Sequence, residues 1–111
     1  MNGRAAKAKG CRAEREVVTL IDQLLGVDVR RTLAGHADDI GDLSGLADTT
    51  LEVKNYTDIG RACREGVDEL IKEQANAGTM FGACFVRRRG GDFYVVMTPQ
   101  QWATYWREAT A

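Results

Sequence analysis

The chain has 111 residues, 44% of them hydrophobic and 28% charged, which is the balance of one ordinary globular domain spanning 1–111 and excludes disordered and fibrous classes. Fifteen basic against sixteen acidic residues leave a net charge of −1, which excludes a uniformly basic surface. No apolar run approaches the roughly 18 residues of a membrane span, and Met1 to Lys9 lack the apolar segment of a secretory signal, so a cytosolic protein without a membrane partner is expected. Cys11, Cys63 and Cys84 are odd in number and contain no CxxC pair, and therefore read as reduced packing residues.

Val17, Val18, Ile21, Leu24 and Leu25 recur at helical spacing, predicting a helix from about Gly10 to Leu25 that Gly26 ends. The residues before it form a basic N-terminal arm, about 1–9, which lacks a convincing cap and is expected to be loose. Residues 27–33 alternate and predict a strand, Ala34 to Gly41 a loop, and Asp42 to Leu46 and Thr50 to Tyr56 two more strands joined near Ala47-Asp48. Cys63, Val67, Leu70, Ile71 and Ala75 return to the helical period from Arg61 to Ala77, with Gly78 as the stop. Phe81 to Arg87 and Asp92 to Thr98 predict a hairpin with a basic tip at Arg88 to Gly91. Pro99 opens a terminal helix carrying Trp102, Tyr105 and Trp106. The order α-β-β-β-α-β-β-α predicts an α/β (α+β) fold, a mixed central sheet flanked by helices.

On the third strand Leu51 and Val53 share one face, and Glu52, Lys54 and Tyr56 the other, with Asp42 on the preceding strand. Two carboxylates about 4 Å apart repel by roughly 4 kcal/mol at an effective dielectric near 20, so Asp42 and Glu52 are best kept together by a cation. Mg²⁺, with Mn²⁺ able to substitute, suits such oxygen ligands and a hydrolytic site. The ammonium of Lys54 stabilises a water-derived nucleophile or the charge developing on phosphorus. Together these residues predict phosphodiester hydrolysis. Glu14 lies three and four residues before Val17 and Val18, on the buried stripe, where an unpaired carboxylate is costly, so it is expected to reach the metal through water. Glu16 falls off the stripe and reads as solvated.

Across residues 2–56 the order is KGCRAERE, a strand with paired arginines, GDL, then LEVK. This order resembles the archaeal-type Holliday junction resolvases of the PD-(D/E)XK superfamily. Short resolvase-like proteins of actinobacteriophages are similar too, including the opening NGRAAKAKG. The resemblance implies a restriction-endonuclease-like core and a metal-dependent endonuclease acting on branched DNA. In it Glu14 matches the first-helix glutamate, Asp42 the motif aspartate, Glu52 the second metal ligand and Lys54 the catalytic lysine, and the main-chain carbonyl of Val53 joins the metal shell. It also implies a homodimer, because symmetric cutting of a four-way junction takes two sites related by a two-fold axis. There are two departures. Gly41 stands where the superfamily name has proline, and Gly35-His36 stands where the archaeal enzymes carry a serine, which bears on junction geometry and not on hydrolysis.

Lys9, Arg12, Arg30, Arg31, Arg87, Arg88 and Arg89 are the candidate DNA contacts, and Arg30 and Arg31, being adjacent on a strand, must point to opposite faces. Each also has a plain reading as a solvated surface charge. His36, beside Asp38 and Asp39, is either a solvated loop residue or a proton shuttle. Gln74 either orients a metal ligand or is a buried amide bonded to backbone. Trp102, Tyr105 and Trp106 read as core, with a dimer contact as the alternative. The competing functions are another endonuclease of the same fold (nicking, restriction-like or replication-repair) and a DNA-binding or interaction module that does not cut.

Overall fold

The computed structural model describes residues 3–33 and 39–111, with side chains from residue 7 onward. The elements are α1 (Gly3–Leu25), β1 (Arg30–Arg31), β2 (Leu43–Ser44), β3 (Thr49–Lys54), α2 (Ile59–Ala77), β4 (Phe81–Arg87), β5 (Phe93–Val96) and α3 (Pro99–Ala109). This is the expected order. The arm expected to be loose is instead helical from Gly3, because Ala5, Ala6, Lys7, Ala8 and Lys9 are strong helix formers with no stop before α1 proper. The strand expected over 27–33 shrinks to Arg30–Arg31, since β2, its one neighbour among the described residues, is equally short. α2 starts two residues earlier than expected, at Ile59, because the Asp58 carboxylate caps it by accepting the Arg61 N–H at 3.0 Å.

The five strands lie in sequence order, β1-β2-β3-β4-β5. All neighbours are antiparallel except β3 and β4, which α2 joins as a parallel crossover. Among the described residues this is a mixed α/β fold with one five-stranded sheet and three helices. No helix among the described residues is long and apolar enough to cross a membrane.

The period of two on β3 divides the molecule. Leu51 and Val53 face α1 and form one core with Ala13, Val17, Ile21, Val29, Leu43 and Ala83. The other face, with Cys84 and Val86, is covered by Ala62 and Leu70 of α2. Each fully buried aliphatic side chain contributes roughly 1.5–3 kcal/mol. Glu52 and Lys54 consequently project toward α2. The inward face of α2 is rotated from the expected one: Leu70 is buried and Cys63 and Val67 pack partly buried beside it, as expected, but Ala62, Gly66 and Glu73 are buried as well, while Ile71 and Ala75 are exposed. The small residues permit the rotation. A Cβ on Gly66 would lie 2.4 Å from Cys84 Sγ and 3.1 Å from Lys54 Cγ, so the helix sits closer to the sheet than any side chain there would allow.

On α3, Tyr105 packs on Phe81 with ring centroids 4.9 Å apart, as the core reading expects. Trp102 and Trp106 do not follow it. They stack on each other and remain 59% and 58% exposed. No disulfide joins the three cysteines, and burial pushes the Cys84 thiol up to about 12, which suits a packing residue.

The close approach gives a first expectation. Gly66→Ala should destabilise the fold by about 1–3 kcal/mol in urea denaturation, despite alanine's better helix propensity. The loss should shrink in a Cys84→Ala background, where the clashing sulfur is gone.

Candidate active site

β2 and β3 pair at a single position, Leu43 with Leu51, and Asp42 occupies the edge beyond it. Its main-chain N–H donates to the Leu51 carbonyl at 2.8 Å, and its Oδ2 accepts the Val53 N–H at 2.9 Å. Because the N–H and C=O of a strand residue point to the same edge, the Val53 carbonyl faces this gap as well. Gly41 delivers Asp42 there at φ +104°, where a Cβ would be 2.9 Å from the Leu51 carbonyl oxygen. Proline, locked near a φ of about −65°, cannot take this conformation.

Glu52 is 2% exposed. Burial, then the adjoining carboxyls of Asp42 and Glu73, hold it far above the usual carboxylate range. Glu73, on α2, is also 2% exposed, and neither of its oxygens meets a hydrogen-bond donor. Burial raises it too; the carboxyl of Glu52 beside it works against that rise, while Asp39 and the charge of Asp42 add to it. Asp39 is held in place by its Oδ1 accepting the Gly41 N–H at 3.1 Å and by Asn76 donating to its carbonyl at 2.8 Å. Four acids thus gather where carboxyl meets carboxyl, an arrangement that is attractive only with a proton or a cation between the oxygens. They associate in pairs. No group of three or more His, Cys, Asp or Glu side chains among the described residues is arranged to hold one metal ion.

Sequence reasoning missed Glu73 although the signal was present. It lies at the spacing of Ala62, Gly66 and Leu70, the buried stripe of α2, and the argument applied to Glu14 applies to it with more force.

Lys54 lies beside this cluster. Its Nζ pairs with Glu69 Oε2 at 2.6 Å and sits 5.5 Å from the centre of the Tyr56 ring. Burial alone would lower the ammonium, but the Glu69 contact and the charge of Glu52 outweigh it and raise the group above its ordinary value. A cleft of about 590 Å³ is lined by Asp42, Val53 and Lys54 on one side and by Lys9 and Glu14 of α1 on another. Glu14 is on this cleft, as expected, but it is not unpaired: Arg31 Nε donates to its Oε2 at 2.6 Å. The expectation of an orphaned carboxylate missed this because Arg31 arrives from a strand seventeen residues away.

The arginines divide. Arg30 pairs with exposed Asp28, and Arg31 turns to α1, so the two take opposite faces as alternation requires. Arg87 pairs with Glu16 at 3.0 Å, which corrects the reading of Glu16 as solvated. Arg88 stacks over Tyr94, with its guanidinium 5.0 Å from the ring centre. Arg87, Arg88 and Arg89 line a second cleft of about 400 Å³ with Lys9, Asn55 and Tyr56, and the last three residues also line the acidic cleft. Arg12 is exposed on α1. Gln74 donates to the Gln101 side chain at 2.8 Å and packs on Gly82, so it supports α3 and not the acids. His36 and Asp38 lie outside the described residues.

No protein-family model, curated protein or solved structure matches the chain.

The buried acids predict a stability cost that metal-free protein should reveal. In chelator, Glu73→Met, close in volume and without charge, should stabilise the fold by about 1 kcal/mol or more, roughly 4 °C in thermal unfolding. A lower melting temperature would mean that the carboxyl makes a net stabilising contact.

Proposed function

We propose that the chain is a Mg²⁺-dependent DNA endonuclease of the PD-(D/E)XK superfamily that hydrolyses phosphodiester bonds in branched DNA. The observation that carries this reading is the meeting of the Asp42 carboxyl, from the residue just before β2, with the Glu52 carboxyl of β3, at the edge that the Val53 carbonyl faces. The donor set is carboxylate and carbonyl oxygen, which suits a hard cation such as Mg²⁺ or Mn²⁺, and the buried Glu73 carboxyl without a donor marks the same place. Asp42, Glu52 and the Val53 carbonyl would hold the ion. When bound, it would polarise a phosphoryl oxygen and acidify a water.

The chain's own groups supply the rest of the proposed chemistry. Asp42 is held in one orientation by the Val53 N–H. Glu14, oriented by Arg31, presents a carboxylate to the cleft, where it accepts a hydrogen bond from water. Lys54, kept protonated, exchanges Glu69 for substrate phosphate and stabilises the charge that builds there. Water oxygen bonds to phosphorus, the bond to O3′ breaks, and the products are a 5′-phosphate and a 3′-hydroxyl. The basic cleft of Lys9, Arg87, Arg88 and Arg89 adjoins the acidic one, giving a DNA strand phosphate contacts on its way to the acids.

Branched DNA as substrate rests on the resemblance to archaeal-type Holliday junction resolvases. The exposed Trp102 and Trp106 supply an apolar surface on α3 for the two-fold dimer that such cutting requires. One observation favours a module that binds without cutting: Lys54 is already occupied by Glu69.

Cleavage of matched four-way, nicked and linear DNA separates these readings. Lys54→Ala and Asp42→Asn should each slow junction cleavage by about a hundredfold or more, and chelator should abolish it. DNA binding without metal-dependent cutting of any substrate would instead identify the non-cutting module. Trp102→Glu should convert dimer to monomer in sedimentation while leaving the circular dichroism spectrum unchanged; a chain that is monomeric before the change would refute the α3 contact.

A further inference from the structure

Exposed arginines elsewhere in the molecule turn to a nearby acid, Arg30 to Asp28 and Arg61 to Glu65. Arg88 does not. The Asp92 carbonyl accepts the Arg88 main-chain N–H at 2.9 Å, so that acid is close, but the Arg88 guanidinium lies over the ring of Tyr94, 5.0 Å from its centre. Among the described residues no carboxylate pairs with Arg88, Arg89 or Lys9, while Arg87, the other cation of their cleft, is taken by Glu16. Arg88 is exposed and Tyr94 is 45% exposed, so the attraction of a cation for an aromatic face, and not burial, holds the pair together.

The register of the sheet fixes where this pair stands. Lys54 of β3 is level with Val86 of β4, and Val86 is level with Tyr94 of β5. Residues level with each other on adjacent strands project to the same face, so Lys54, Val86 and Tyr94 form one row on the α2 side of the sheet. Tyr94 ends the row two strand spacings, about 10 Å, from Lys54. That is roughly the reach of three stacked nucleotides at about 3.4 Å each. The turn at the hairpin tip fixes the other partner: the Gly91 N–H donates to the Arg88 carbonyl at 3.2 Å, and Gly90 and Gly91 take φ +95° and +92°. Arg88 also lines the cleft of about 400 Å³ whose Lys9, Asn55 and Tyr56 continue into the cleft of Asp42 and Lys54.

A phosphate asks only for charge, which Lys9 and Arg89 supply. A planar guanidinium backed by an aromatic ring offers in addition a flat outer face, and an unpaired nucleobase stacks on such a face. A base inside a duplex already has both faces covered by its neighbours. We propose that Arg88, backed by Tyr94, is a stacking platform for an unpaired base about three nucleotides from the phosphate that Lys54 meets, so that the chain selects DNA with unpaired bases at a branch, such as a fork or flap, over fully paired duplex. The inference rests on the reading of the chain as a DNA endonuclease. It makes Arg88 and Tyr94 specificity-determining residues and leaves hydrolysis to the acids and Lys54.

The test is binding of the full chain, in chelator and again with Ca²⁺, to a forked DNA carrying 2-aminopurine in its unpaired arm and to a matched duplex carrying it at the same position. Affinity is read by anisotropy and stacking by quenching of the 2-aminopurine fluorescence. Wild type should bind the fork about tenfold more tightly than the duplex and quench the unpaired base. Tyr94→Leu, and Arg88→Lys, which keeps the charge and loses the plane, should each bring the fork-to-duplex ratio close to one and remove the quench. Arg89→Gln should weaken binding to both DNAs and preserve the ratio. A wild type that binds both DNAs equally, or a quench that survives in both platform variants, overturns the platform and leaves the nuclease reading standing. Tighter binding of a single-stranded RNA of the same sequence also overturns it, by moving the partner to RNA. A wild type that binds no nucleic acid in either condition overturns both readings. The wild-type ratio and quench decide the matter even where a variant fails to fold.

Discussion

Covering a carboxylate on the central strand with a helix is the constraint from which the architecture follows. Glu52 lies on β3 beneath α2, and the face that would otherwise be core carries acids instead. Removing such groups from water costs several kcal/mol each unless they are neutralised, against a net stability of roughly 5–15 kcal/mol for a small domain. The fold meets this by separating its duties. The α1 face, with Ala13, Val17, Ile21, Leu43, Leu51 and Val53, is apolar and supplies cohesion, while the α2 face is split between a small core at Leu70, Cys84 and Val86 and the acid cluster.

Close packing holds that split together. Gly66 brings α2 against Cys84 and the stem of Lys54, and from that contact the neighbouring helical positions follow: Glu69 one turn on meets the lysine, and Glu73 a further turn on meets Glu52. Gly41 performs the matching task on the other side of β3, letting the backbone run tight against Leu51 so that Asp42 reaches the Val53 N–H. Two glycines therefore set the separation of the carboxyls more directly than the acids do.

The near-zero net charge is also a local matter. α1 is pinned to the sheet by Glu14 with Arg31 and by Glu16 with Arg87, pairs that are partly exposed and contribute at most about 1 kcal/mol each. Their consequence is orientation. They aim Glu14 at the cleft and hold the base of the β4–β5 hairpin against the helix, leaving Lys9, Arg88 and Arg89 on the adjoining basic cleft.

The sequence by itself determined the element order, the faces of β3, the helix ends at Gly26 and Gly78 and the opening of α3 at Pro99, because periodicity and capping act within a few residues and are written locally. It also placed Asp42 beside Glu52, since a strand and its antiparallel neighbour are close in the chain. It did not reveal Arg31 on Glu14, Arg87 on Glu16 or Glu69 on Lys54, for these pairs join residues far apart in sequence or depend on how a helix is rotated. That rotation was decided by tertiary packing. The apolar positions of α2 suggested a stripe through Cys63, Val67, Leu70, Ile71 and Ala75; the first three do pack inward, but Ala62 and Gly66 let the helix approach on its small side, which left Ile71 and Ala75 outside and carried Glu73 into the acids. Hydrophobic pattern specifies that a helix has an inner face; steric fit against the sheet chooses which one.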